Sequence, residues 1–396
     1  MSAIGEAIGF NLIVISPTIT LVMTALFLLF FTITIKSNEK VKQLITFSGV
    51  LITIFCVFLK FGLFLESGIS SYFTQKILLD EFSLFGNVLI SLILLFNFIP
   101  IWESSILLKE KTTEAIILIL MSTAGFMLMI DSENLIMLFI GLEIGSISLY
   151  ALAGLNRGDK LSNEASLKYF LLGSLASCIL IYGVSLVYVS FAVQSVYDFA
   201  IALSYVGPDV VPLTTSIGMI LIFVGLLFKI AAAPFQSWAP DVYQGSPTGY
   251  VGYMASIAKV SSFIVIARLC QVSLRLMPNE FDYFFLIVVI LSIIIGSVFA
   301  TVQQDLKRLL AYSGVVQSGF ILSGIVSGVN GTSASMFYLF TYIIQLTGIF
   351  VIFSIVNGRL SSDFLIEGIQ GLIINNRFLA TTFCIFMLGL AGIPLT

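Results

Sequence analysis

Apolar runs of membrane length recur from one end of this 396-residue chain to the other, and they leave it few folds to choose from. Spans are read near 12–35, 43–65, 78–100, 114–130, 134–154, 165–191, 216–239, 249–271, 283–303, 309–328, 334–356 and 377–396. Short loops join most of them, with longer connections at 192–215 and 357–376. A segment inside a bilayer must satisfy its backbone polar groups internally, so such a pattern predicts an all-α polytopic membrane protein of about 12 spans. Only 10% of the residues are charged, against about 25% in soluble domains. No polar stretch is long enough to fold as a soluble catalytic domain. The N-terminus lacks a charged n-region and a small-residue cleavage site, so no removable signal peptide is expected and the first span directs insertion.

The basic residues orient this layout. With the N-terminus outside, the inward loops hold Lys36, Lys40, Lys42, Lys109, Lys111, Arg157, Lys160, Lys307, Arg308, Arg359 and Arg377. The outward side holds only Lys76, Arg268 and Arg275, a strong positive-inside bias. Lys60, Lys168, Lys229 and Lys259 remain within the spans, and Glu143 is the acidic residue that falls near the middle of one. A charge at a helix centre costs roughly 2.5–3.5 kcal/mol, so Glu143, Lys229 and Lys259 together oppose insertion by something near 10 kcal/mol. Apolar residues would serve a purely structural bundle better.

Each of these charges admits two readings. Glu143 is either half of a static ion pair or a gated carboxylate, with Gly141, Gly145, Ser146 and Ser148 around it to allow close helix approach and water. Lys229 either neutralises Glu143 or works with the helix break that Pro234 imposes five residues later. Broken helices of this kind mark ion sites in transporters. Lys259 lies among Ser256, Ser261 and Ser262 with no acid in its own helix; it is an ion-pair member or a relay lysine. Lys168 follows Glu164 by four residues, which suits an interfacial helical pair as well as a relay position. Lys60 is expected to snorkel toward the outer interface.

Other chemistries are excluded or disfavoured. Histidine is absent, which removes Ser–His catalysis, histidine-ligated haem and the usual neutral-pH proton shuttle. Cys56, Cys178, Cys270 and Cys384 stand singly in apolar runs, without the spacing of a zinc or iron–sulfur site. A net charge of -3 with no basic face offers nothing to a nucleic acid. Any proton handling rests on carboxylates, lysines, tyrosines and water.

Five stretches carry a resemblance: GLEIGSISLYALAGLNR (141–157), EASLKYFLLGSLAS (164–177), FKIAAAPFQSWAPDVYQGSPT (228–248), QDLKRLLAYSGVVQSGF (304–320) and LGLAGIPLT (388–396). With them the chain resembles the antiporter-like membrane subunits of respiratory NADH:quinone oxidoreductase, complex I, and among these the subunit N (subunit 2) family. The resemblance implies a bundle of two inverted five-helix repeats with broken helices at the seventh and twelfth spans, marked by Pro234 and Pro394. Three N-terminal helices (1–100) would precede a first repeat at 101–275, with a second at 276–396. Matched residue by residue, Glu143 falls on the family's fifth-helix glutamate and Lys229 on its partner. Lys168 falls on the sixth-helix lysine and Lys259 on the central lysine of the eighth. The family commonly has histidine where Gln236 and Gln317 stand here. Its twelfth helix continues beyond Ile-Pro to a further lysine and two more helices, so the second repeat is expected to be incomplete and truncated here.

The function so implied is proton translocation through a buried Glu/Lys relay, coupled to quinone reduction elsewhere in the complex. This subunit would carry no redox centre and bind no cofactor or metal; NADH, FMN, iron–sulfur clusters and a quinone would belong to other subunits. Its partners would be the other membrane subunits, especially the sister antiporter-like ones, together with the lipid bilayer, and no nucleic acid. The expected location is the bacterial plasma (inner) membrane, with the mitochondrial inner membrane as the other possibility. A subunit of a multisubunit cation/proton antiporter is the competing function.

Overall fold

A computed structural model describes residues 2–35, 39–107, 112–278, 280–357, 365–366 and 371–393. Pro394 lies outside the described residues, as do the inward-loop residues Lys36, Lys109, Lys111 and Arg359. The described chain is α-helical apart from one small hairpin. Its first helices are α1 (Ser2–Ile35), α2 (Glu39–Ser67), α3 (Glu81–Leu107), α4 (Thr112–Asp131), α5 (Leu135–Ala153) and α6 (Lys160–Phe191). A short α7 (Val196–Val206) precedes α8 (Leu213–Lys229), α9 (Trp238–Gly245) and α10 (Thr248–Val272). Next come α11 (Glu280–Thr301), α12 (Leu306–Val326), α13 (Val329–Asn357), α14 (Leu372–Asn375) and α15 (Arg377–Leu390). Strands β1 (Ser70–Tyr72) and β2 (Ile77–Leu79) pair antiparallel between α2 and α3.

Ten helices among the described residues are long and apolar enough to cross a membrane, and α8 and α15 are shorter apolar helices. This is a multi-pass membrane protein. Two elements have no counterpart in the hydropathy pattern: the hairpin, and α7 within the long connection after the sixth span. Both are too short to leave an apolar run of membrane length.

Local capping sets several helix starts. Asn134 accepts from the backbone N–H of Ile136 and Met137 at the start of α5, and Asp159 from Leu161 at the start of α6. Asp305 does the same for α12 through Arg308 N–H. Each cap satisfies a donor that the helix leaves free. Packing then relies on small residues. A Cβ built on Gly125 would sit 2.4 Å from the Gly145 nitrogen, and one on Gly141 2.5 Å from the Met129 nitrogen. The backbones of α4 and α5 therefore touch, and Gly183 and Gly218 bring α6 and α8 together in the same way. At the centre stands α10, buried at every residue from Thr248 to Cys270. It packs on α3, α4, α5, α8 and α13.

Candidate functional site

The seventh span is broken, and the break is what positions the site. α8 ends at Lys229, the chain leaves the helical path over 230–237, and α9 begins at Trp238. Ala231 has a positive φ of 56°, and the Ala233–Pro234 peptide is cis. Backbone groups freed inside a membrane must find partners. Here the Phe228 carbonyl accepts from Trp238 Nε1 at 3.0 Å, and the Ile230 carbonyl from the Ser318 hydroxyl of α12 at 2.8 Å. Ala233 N–H donates to Ser292 Oγ of α11 at 2.9 Å. Gln236 follows directly, and its side-chain oxygen is buried with no hydrogen-bond partner among the described residues.

Lys229 is the last residue of α8, where the helix dipole favours a cation. Its ammonium is buried and donates to Ser146 Oγ at 2.9 Å and to the Tyr150 hydroxyl at 2.8 Å. Its nitrogen also lies 5.4 Å from the centre of the Tyr150 ring. Ser146 and Tyr150 occupy the same face of α5 as Glu143, one and two turns further along. Glu143 itself accepts a short hydrogen bond from the Ser177 hydroxyl of α6. It is only partly buried, and Ile140, Ile144 and Ile147 beside it are exposed. Among the described residues no ion pair joins Lys229 to Glu143; Lys229 bonds Ser146 and Tyr150 of α5, and Glu143 of α5 bonds Ser177 of α6.

Lys259 lies near the middle of α10, also buried. It donates to the Gly314 carbonyl of α12 at 2.7 Å and to the Tyr342 hydroxyl of α13 at 3.3 Å. Neither Lys229 nor Lys259 is in an ion pair within the described structure.

Lys168 is placed differently. It pairs with Glu164 at 2.7 Å and with Asp241 of α9 at 2.6 Å, and Asp241 also holds Arg308 of α12 at 2.7 Å. This network ties α6, α9 and α12 together at the inward rim. Burial pushes the Asp241 carboxyl up, but the bonds from Lys168 and Arg308 outweigh it and hold the pKa below the ordinary carboxylate value. Along α6, Lys168 is about 13 Å from Ser177, at 1.5 Å per residue, so it does not join the group around Glu143.

Two charges depart from what the sequence suggested. Lys60 does not snorkel: it is wholly buried and pairs with Asp131 at 2.6 Å, while Asn87 donates to the same carboxylate oxygen at 2.7 Å. Arg268, counted above with the outward loops, is buried within α10, near its C-terminal end. It forks onto Asp80, beside the hairpin, through bonds of 2.9 and 2.7 Å, and donates to the Ile130 carbonyl. The partners come from distant helices, which no window of sequence reveals. In the sequence Ser146 stood out only as a small residue beside Glu143, and Tyr150, Tyr342 and Ser318 gave no local signal of their contacts.

Residues 132–396 match the family model described as "NADH:quinone oxidoreductase/Mrp antiporter, TM". NADH-quinone oxidoreductase subunit N of Trichlorobacter lovleyi is 33% identical over 390 residues, covering 98% of this chain and 78% of that one. The chain belongs to this family. NADH-quinone oxidoreductase subunit N 1 of Solibacter usitatus is 36% identical over 325 residues, covering 82% of this chain and 66% of its own. Respiratory complex I from Thermus thermophilus, solved with bound aureothin, contains a chain that superposes with a TM-score of 0.76 at 26% identity, over 96% of this chain and 79% of that one. This chain thus spans from 55% to 79% of the length of the relatives it matches. Gln317, where the resemblance led us to expect histidine, links two helices. The Gln317 amide donates to the Leu390 carbonyl at 2.9 Å, at the point where α15 ends, and its oxygen accepts from the Tyr338 hydroxyl.

Proposed function

We propose that this chain is a membrane-arm subunit of a NADH:quinone oxidoreductase, moving protons through Glu143, Lys229 and Lys259 while quinone is reduced elsewhere in the complex. The observation that carries the reading is the bonding of the two lysines. Lys229 and Lys259 are buried, yet they donate only to hydroxyls and a carbonyl. A hydroxyl can donate as well as accept. The Tyr150 and Ser146 hydroxyls can therefore turn to serve Lys229 after it has lost a proton, and no buried counter-charge is stranded. Lys168, in its rim network with Asp241, sits where protons would enter from the inward side. The α8–α9 break and the end of α15 fit the two repeats at 101–275 and 276–396.

The partners follow from Glu143. A carboxylate facing hydrocarbon between exposed isoleucines is costly, so another protein surface is expected to cover this face of α5. Within this reading, that surface belongs to a sister antiporter-like subunit in a bacterial plasma membrane. Within this reading flavin, iron–sulfur clusters and quinone belong to other subunits.

NADH-driven proton uptake into inverted membrane vesicles tests the assignment. A Lys229→Ala chain should assemble and pump poorly; full pumping per assembled complex would sink the relay. The family model also covers Mrp antiporters, and redox subunits with flavin and iron–sulfur clusters that co-purify with the chain separate the two cases.

A further inference from the structure

One stretch of α12 touches Lys259, the chain just beyond α8 and the end of α15. Gly314 offers its carbonyl to Lys259 at 2.7 Å and to the Ser318 hydroxyl at 2.8 Å. Ser318 reaches the Ile230 carbonyl, just beyond the end of α8, at 2.8 Å. The next residue back, Gln317, reaches the Leu390 carbonyl at the end of α15, at 2.9 Å. Both target carbonyls are ones that a terminating helix leaves without an internal partner. Gln317 and Ser318 are themselves buried.

We infer that Gln317 and Ser318 are positioning residues, each holding one helix break, so that α12 sets the α8–α9 break and the end of α15 in register around Lys259. This rests on the proton-relay reading above. Consecutive residues on a helix point about 100° apart, which is how one turn can serve two separate helix ends. The chemistry also accounts for glutamine at position 317. The site asks for one donor, toward Leu390, and one acceptor, for Tyr338. A carboxamide supplies both at any pH near neutrality, as does a neutral imidazole. A lysine or carboxylate would supply only one. Tyr338 and Tyr342 lie one turn apart on α13, so the same helix orients Gln317 and bonds Lys259.

The test compares proton uptake per assembled complex in inverted vesicles carrying Gln317→Met, Ser318→Ala, Gln317→His and Lys229→Ala chains. Methionine keeps the volume and removes both polar atoms; alanine removes one hydroxyl. Gln317→Met and Ser318→Ala should each fall to the Lys229→Ala level, and Gln317→His should restore the uptake lost in Gln317→Met. A chain that merely packs loosely would not be rescued by histidine. If Lys229→Ala is impaired while Gln317→Met and Ser318→Ala pump normally, the positioning role is overturned and the relay stands. If Lys229→Ala pumps normally, the relay itself fails. Should Gln317→Met not assemble, the smaller Ser318→Ala change decides: loss supports the assignment and full uptake overturns it.

Discussion

The buried charges fall into two groups that differ in what faces them. Toward the outward end, Lys60 meets Asp131 and Arg268 forks onto Asp80, each cation against a carboxylate. Within the bundle, Lys229 and Lys259 meet Ser146, Tyr150, Gly314 and Tyr342, which are all neutral. A buried pair of opposite charges is self-locking, because removing either leaves the other unsolvated. Lysines among neutral acceptors carry no such lock. The first group fastens α2, α3, α4 and α10 to one another; the second, in the proposed function, is the one that changes its proton content.

The contrast breaks most visibly if the fastening is cut on one side. Asp131→Ala leaves Lys60 buried without its carboxylate and should cost about 3–5 kcal/mol, seen as loss of the chain from the native complex and a lower melting temperature in detergent. Replacing both partners, Lys60→Met with Asp131→Leu, should recover most of that loss in the same assay. Recovery would mean the pair serves attachment alone. Lys259→Met should behave oppositely: a smaller loss of thermal stability, because the groups left behind, the Gly314 carbonyl and the Tyr342 hydroxyl, are neutral, and a fall in NADH-driven proton uptake. A large fall in melting temperature for Lys259→Met would erase the distinction between the groups.

The rim network should give the smallest effect. Asp241→Asn breaks ion pairs that are partly open to solvent, worth under about 1 kcal/mol and weakened by salt. The folded pKa of Asp241 lies below its ordinary value. Its contribution is therefore full above the ordinary carboxylate value of about 3.9 and is lost as the pH falls through the lower folded value. Melting curves of the wild type and Asp241→Asn should differ slightly near neutral pH and converge in acid.

What the sequence disclosed about this protein follows the range of each physical signal. Hydropathy is local, so the spans were legible, and so was the broken seventh helix, because Lys229 and Pro234 are neighbours in the chain. The inverse holds for Lys60, whose partner Asp131 is 71 positions away, and for Arg268, 188 positions from Asp80. A lone lysine near a helix end looks alike whether it snorkels or pairs; only the packing of α2 against α3 and α4 decides. The hairpin and α7 were hidden for another reason, since each is too short to leave a membrane-length run and is placed by tertiary contacts. Ile77 bridges to Ser132 and Asn134 to Ser195, stitching both elements onto the turn between α4 and α5. Glu143, Lys229 and Lys259 were singled out from cost alone, because an ionisable side chain deep in a span is rarely idle.

α10 touches protein on every side, so no acyl chain reaches the helix that carries Lys259. The outer helices α1, α2, α6 and α11 expose long apolar side chains such as Phe30, Phe58, Leu175 and Ile294. Those helices must tilt or stretch when bilayer thickness changes, whereas α10 is shielded behind them. A change of host lipid therefore reaches the central lysine only as a displacement of its neighbours. Helix α10 is accordingly insulated from the solvent in which the rest of the protein dissolves.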